Sequence, residues 1–231
     1  MMNELAAFER FNGIMDRLLG EGGCPWDKEQ TLFSLRQYLL EESYEAVDAV
    51  NNGDMPALCE ELGDVFLEAV FMAKVAEKGG FFTLEDVLAG ISDKMVSRHT
   101  HIFGADVCLT AEDVMKNWEI VKKLEKRVQS AREDMESVPK ALPALVRASK
   151  VLKRSGEEAA PTEELAGKIK SNLDILLGKE PGDPGMDAAM GGLLLDLAAL
   201  SRHLGVNQEF SLTNAIEKFI NRFESGGESP K

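Results

Sequence analysis

The stretch YLLEESYEAVDAVNNGDMPALCEELGDVFLEAVFMAKVA, Tyr38 to Ala76, decides the fold. Apolar residues recur at helical spacing on both sides of NNGD, which stops the first run. Asp54 stands where a helix N-cap belongs, and Pro56 falls close to the first turn that follows. The spacing predicts one helix over about Thr31–Asn51 and a second from Asp54 to Lys78, ended by Gly79-Gly80. A short connection makes the two antiparallel neighbours.

Both helices carry acids at the edge of the apolar stripe. With Glu42 at zero and about 100° per residue, Glu45 lies about 60° to one side, and Leu35, Ala46, Leu39 and Val50 lie within about 80° on the other. With Glu61 at zero, Asp64 lies about 60° to one side, and Met72, Val65, Leu58 and Ala69 lie within about 80° on the other. Glu68 shares the stripe of Glu61 and Asp64, and either joins their site or only extends the stripe. If the stripes pack together, Glu42, Glu45, Glu61 and Asp64 converge. Four partly buried carboxylates repel one another unless cations sit among them. Oxygen-only ligands favour Mg²⁺ or Mn²⁺ over zinc or copper.

Outward from this pair, the chain keeps reading as helix. A first amphipathic helix spans about Asn3–Leu19, with Leu5, Phe8, Met15, Leu18 and Leu19 on its apolar side, and GEGGCPWD breaks it. Thr83 with Asp86 forms a near capping box for a fourth helix ending near His99. The segment HTHIFGADVCL reads as a loop, and Thr110 with Asp113 starts a long charged helix to about Glu136. Further helices are expected near Pro143–Arg154, Thr162–Leu177, Met186–Leu204 and Ser211–Glu224, with a mobile loop over Gly178–Asp187 and a disordered tail, GGESPK. Aromatics are only 6% and β-branched runs are nearly absent, so the expected class is all-α.

The net charge of −14 repels nucleic-acid phosphates and anionic membranes, so neither is expected as a partner. An anionic substrate needs metal ions to enter such a site. Cys24, Cys59 and Cys108 are odd in number and lack CxxC spacing, which fits reduced thiols in a cytoplasmic protein. The N-terminus lacks the apolar core of a secretory signal, and no stretch approaches the roughly 18 uncharged apolar residues of a membrane span.

The halves resemble each other weakly. Glu61–Ala76 lines up with Ala189–Leu204, and Phe82-Thr83 with Phe210-Ser211; Lys94/Arg98 then match Lys218/Arg222. Either two copies of one helical unit or a chance match between two Leu/Ala-rich helices accounts for this alignment.

At EExxE, a spacer and ExxD, the chain resembles the all-α nucleoside triphosphate pyrophosphohydrolases, and more closely the MazG family. GGCPWDKEQT (Gly22–Thr31), ISDKMVSRHTHIFG (Ile91–Gly104), KNWEIVK (Lys116–Lys122) and SVPKALPALVRASKVLKR (Ser137–Arg154) fit as well. The resemblance implies a helical-bundle unit in tandem. Residues 1–136 are then the catalytic domain, 137–160 a linker and connecting helix, and 161–231 a degenerate second copy. It implies Mg²⁺-dependent hydrolysis of a nucleoside triphosphate to monophosphate and pyrophosphate, with Mn²⁺ as a possible substitute, in nucleotide-pool house-cleaning of broad specificity. Glu42, Glu45, Glu61 and Asp64 match the metal ligands, and Glu41 the supporting acid of EExxE. Lys94 and Arg98 match the residues that meet phosphate oxygens. Trp118 and Lys122 match a region near the nucleotide, where Trp118 either stacks on the base or packs between helices. A homodimer is implied.

The chain departs from the family in its second half. Ala189 and Gly192 stand where Glu61 and Asp64 stand, and KSNLDIL replaces an EExxE-like segment. Neither alanine nor glycine ligates a metal. The second half is therefore expected to be catalytically dead. Two alternatives stay open: a narrower dUTP- or phosphoribosyl-ATP-like pyrophosphohydrolase, and a non-catalytic module that binds metal or nucleotide.

Overall fold

A computed structural model describes residues 3–126, 130–157, 160–180 and 182–224. Among the described residues the chain is helical throughout, with twelve helices and no strand. The tail GGESPK lies outside them. Packing divides the chain after Val121 into two units.

The first unit begins with α1 (Glu4–Leu19), α2 (Pro25–Glu29), α3 (Leu32–Asn52), α4 (Met55–Lys78) and α5 (Leu84–Arg98). The caps follow the expected residues. Asn3 accepts from the Ala6 amide, Thr31 and Ser34 close a reciprocal box at α3, and Asp54 accepts from the Ala57 amide at α4. Thr83 and Asp86 complete the box at α5. Gly53 ends α3 at φ 68°, where a side chain would be strained.

The core joins Met15 of α1, Leu35 of α3, and Val70 and Phe71 of α4. Phe11, Leu18, Tyr38, Leu67, Met72 and Leu84 pack against it. The α3–α4 pair is the closest packed in the unit, and α1 and α5 also touch α4. The C-terminal half of α4 is therefore buried on several sides, as its nearly continuous apolar sequence requires. Two stripe residues depart from expectation. Val50 is 55% exposed, while its neighbour Ala49 is buried, and Ala69 is exposed while Val70 is buried. Near the ends of α3 and in mid-α4, burial is set by which neighbours reach the helix, and not by the stripe alone.

Other departures are local. The CPWD segment is a short helix and not only a break, because Pro25 at its first position needs no amide partner. The expected loop after His99 contains one turn, α6 (Thr100–Phe103). Then α7 spans Ala111–Lys126, with the Thr110–Asp113 cap in place. The expected helix to Glu136 is not one piece: Ser130 accepts from the Glu133 amide and starts α8 (Ala131–Glu136).

The second unit holds α8, α9 (Ala144–Arg154), α10 (Thr162–Leu177), α11 (Met186–His203) and α12 (Gln208–Glu224). The buried Asp134 pairs with Arg154 at 3.5 Å, tying α8 to α9. Gln208 donates to the Leu145 carbonyl at 2.7 Å, tying α12 to α9. The last helix starts earlier than expected. Asn207, not Ser211, accepts the free amides, from Glu209 and Phe210, and Ser211 lies inside the helix donating to the Asn207 carbonyl. The cap equivalence of Thr83 and Ser211 in the repeat alignment therefore fails.

Candidate metal and nucleotide site

The acids of α3 and α4 meet. Carboxylate oxygens of Glu42, Glu45 and Glu61 lie within 4.8 Å of one another. Asp64, one turn after Glu61 on α4, lies outside that group and acts on Glu42 and Glu61 through its charge. Glu42, Glu61 and Asp64 are half-buried, while Glu41 and Glu45 are exposed.

The electrostatics record this crowding. Loss of solvent, then the charges of Asp64, Glu45, Glu61 and Glu41, push the Glu42 carboxyl above the ordinary carboxylate range. Loss of solvent, then the charges of Glu45, Asp64 and Glu60 and a hydrogen bond with Glu45, push Glu61 up. Glu68, on the next turn of α4, is raised by burial and by Glu42 and Asp64. Every one of these shifts opposes ionisation, and cationic neighbours do not figure among their causes. The donor set is all oxygen, which suits a hard divalent cation.

A second group gathers at the C-terminal end of α5. Lys94 is exposed and Arg98 half-buried, one turn apart. The Arg98 guanidinium lies 5.2 Å from the centre of the Trp118 ring, and the His99 ring meets Trp118 edge-on at 5.2 Å. His99 Nδ1 is 2.6 Å from the Met95 carbonyl, whereas His101 Nδ1 is buried with no partner. Asn117 donates to Thr100 at 2.6 Å, fixing α7 against α6. Lys122, half-buried, follows Trp118 by one turn on α7. Trp26 is 54% exposed and touches Tyr38 edge-on, so the CPWD segment rests on α3 through that ring.

A cavity of about 420 Å³ in the first unit lies elsewhere. It lies beside Asp16, Lys74 and Lys78, and Lys74 and Asp16 pair at 2.7 Å across it. None of the carboxylates Glu42, Glu45, Glu61 and Asp64 lines this cavity, and Glu41 and Glu45 are exposed.

In the second unit, α10 and α11 form the closest-packed pair. Ala189 and Gly192 occupy α11 as the sequence alignment places them. A side chain at Gly192 would meet Asn172 at 3.6 Å, and Asn172 donates to Asp196 at 2.6 Å.

The MazG nucleotide pyrophosphohydrolase domain matches residues 30–103, the span that holds all five acids with Lys94 and Arg98. The chain is 37% identical over 231 residues to the nucleoside triphosphate pyrophosphohydrolase of Escherichia coli (strain K12), covering 96% of this chain and 86% of that one. The chain belongs to the MazG family. Another member, the MazG nucleoside triphosphate pyrophosphohydrolase/pyrophosphatase of Thermotoga maritima, is 36% identical over 94% of this chain and 84% of its own. The uncharacterized protein YabN of Bacillus subtilis is 37% identical over 97% of this chain, which spans 47% of that longer protein.

Sequence reasoning named the four ligand candidates and the basic pair. It left open whether Glu68 joins them or only extends the stripe, and treated His99 and His101 as loop structure. The signal for Glu68 was its place on the acidic stripe.

Proposed function

We propose that this MazG-family chain hydrolyses nucleoside triphosphates to monophosphate and pyrophosphate at the α3–α4 carboxylates. The observation that carries this is the convergence of Glu42, Glu45 and Glu61 oxygens within 4.8 Å, with the Asp64 charge acting on Glu42. Glu42, Glu45, Glu61 and Asp64 hold Mg²⁺, with Mn²⁺ as a substitute. When bound, the ion neutralises phosphate charge and polarises the reacting phosphoryl group.

The protein's own residues do the rest. Water attacks phosphorus, the bond to the pyrophosphate oxygen breaks, and Glu41, exposed beside Glu42, takes the water proton. Lys94 and Arg98 bind phosphate oxygens from one helix face. Trp118 stacks on the base while Arg98 stays over its ring, and Lys122 supports the same end. Water exclusion at an open surface needs a covering partner. Large apolar side chains are exposed along α3 and α4, among them Leu40, Tyr44, Val47, Leu62 and Phe66. Their exposure supports a homodimer built on this pair.

The reading includes broad substrate tolerance, a cytoplasmic setting and the domain limits 1–136, 137–160 and 161–231. Among the described residues no helix is long and apolar enough to cross a membrane. The second half is a degenerate copy without catalytic acids. In it Asn172 donates to Asp196 at 2.6 Å.

The test is product analysis. Chromatography of a nucleoside triphosphate incubated with the protein should show equal monophosphate and pyrophosphate, only with Mg²⁺ present. Release of orthophosphate and the nucleoside diphosphate instead would refute the cleavage position.

A further inference from the structure

Glu68 is used by none of these roles, and its surroundings are unusual. Its side chain is only 8% exposed, and Oε2 is fully enclosed with no hydrogen-bond partner. It follows Asp64 by one turn on α4, about 20° from Glu61 around the helix axis. Glu42 and Asp64 act on it through their charges, while the carboxylate oxygens within 4.8 Å of one another are those of Glu42, Glu45 and Glu61. Its neighbours along the helix, Leu67, Val70 and Phe71, belong to the core or pack on it.

A buried carboxyl oxygen without a donor is costly, and leucine, methionine or glutamine at this position would avoid the cost of its charge. The second unit supplies the contrast. In the repeat alignment Asp196 stands where Glu68 stands, and Asp196 has its own donor, the Asn172 amide at 2.6 Å. Where Ala189 and Gly192 have removed the acid pair, the aligned acid is satisfied from within the protein. Where the acid pair is intact, the aligned acid is held next to it and lacks that donor.

We propose that Glu68 is a cation ligand: with Glu42 and Asp64 it holds a divalent ion at the inner end of the carboxylate row. Glu42 then serves both ends, since its oxygens also reach those of Glu45 and Glu61. This inference rests on the metal reading of the cluster and adds an inner, buried ligand to it. Three carboxylates from two helices suit Mg²⁺ or Mn²⁺, with water completing the shell.

The experiment is a Mn²⁺ titration of the full chain without nucleotide, following free Mn²⁺ by electron paramagnetic resonance. It compares the unmodified protein with Glu68→Gln and Glu60→Gln. Glu60 is exposed and acts on Glu61 through its charge alone, so Glu60→Gln controls for loss of one negative charge. Glu68→Gln should lose a Mn²⁺-binding step or weaken it about tenfold or more, the scale of removing a well-placed metal-site group. Glu60→Gln should stay within about threefold, as a screened surface charge does.

Unchanged Mn²⁺ binding in Glu68→Gln, with binding intact in the unmodified protein, overturns the inference and leaves the outer metal reading standing. Equal losses in both variants reduce Glu68 to a field effect and overturn it too. No Mn²⁺ binding by the folded, unmodified protein removes both readings. Should Glu68→Gln fail to fold, crystals of the unmodified protein grown with Mn²⁺ decide. An anomalous peak at bonding distance from a Glu68 oxygen supports the inference, and peaks confined to Glu42, Glu45 and Glu61 refute it.

Discussion

Leu35→Ala tests the packing that sets the carboxylate register. Leu35 is fully buried, two turns before Glu42 on α3, and joins Met15 of α1 to Val70 and Phe71 of α4. The substitution deletes three carbons, about 2.4 kcal/mol at roughly 0.8 kcal/mol each. A vacated volume on the order of 70 Å³, if unrelaxed, adds about 1.7 kcal/mol at ~24 cal/mol per Å³. The site is walled by three helices and closes only in part, so the cost is about 3 kcal/mol, within the usual range for buried leucine. For a unit of this size that lowers the melting temperature by about 10 °C. Differential scanning calorimetry of the full chain at fixed protein concentration measures it, with the two units treated as separate transitions. Leu109→Ala is the control, since Leu109 is 87% exposed and should cost under about 0.5 kcal/mol. A Leu35→Ala cost below about 1 kcal/mol would refute the packing of α1, α3 and α4 described here.

Three further predictions concern the site and its supports. Glu42, Glu61 and Glu68 have raised folded-state pKa values, so they bind protons more tightly folded than unfolded. Their stabilising contribution is complete below the unfolded carboxylate pKa and is lost as pH rises through the folded values. The metal-free protein should therefore melt higher at about pH 5.5 than at pH 8, and Mg²⁺ should narrow the gap; thermal melts across pH with and without Mg²⁺ decide, and a metal-free melting temperature that rises steadily to pH 8 contradicts this. Trp118→Ala should raise KM about tenfold or more with a smaller change in kcat, on the scale of one base–aromatic stack, and an unchanged KM in steady-state kinetics argues for packing alone. Thr83→Ala removes the side chain that accepts from the Asp86 amide and should cost about 1 kcal/mol in denaturant melts; no measurable loss would mean the cap is replaced by solvent.

Helix limits were legible where a side chain with one local job marks them. Asp54 and Gly79-Gly80 bound α4, and Thr83 with Asp86 starts α5, because capping depends on neighbours three residues away. The misreadings have the same local origin. Ser130 and Ser211 are equally plausible on sequence as caps or as helix interior. Ser130 caps, while Asn207, following Gly205 at φ 67°, takes that role from Ser211. The convergence of Glu42, Glu45 and Glu61 was legible because helical period and a short connection fix it. The burial of Glu68 was not, because burial on α4 depends on how α1, α3 and α5 pack around it. The grouping of Arg98, His99 and Trp118 likewise depends on how α7 returns to α5.

The central claim is that catalysis belongs to the α3–α4 carboxylates and not to the second half. Its most direct test is Mg²⁺-dependent pyrophosphate release by two variants of the full chain, each first shown to be folded. Glu42→Ala with Glu61→Ala should abolish release, by at least about a hundredfold given the loss of two ligands. Asp174→Asn with Asp187→Asn and Asp196→Asn, which removes the three aspartates of α10 and α11, should keep it within about twofold, as changes away from the metal do. Full release from the first variant, or its loss in the second, would contradict the account.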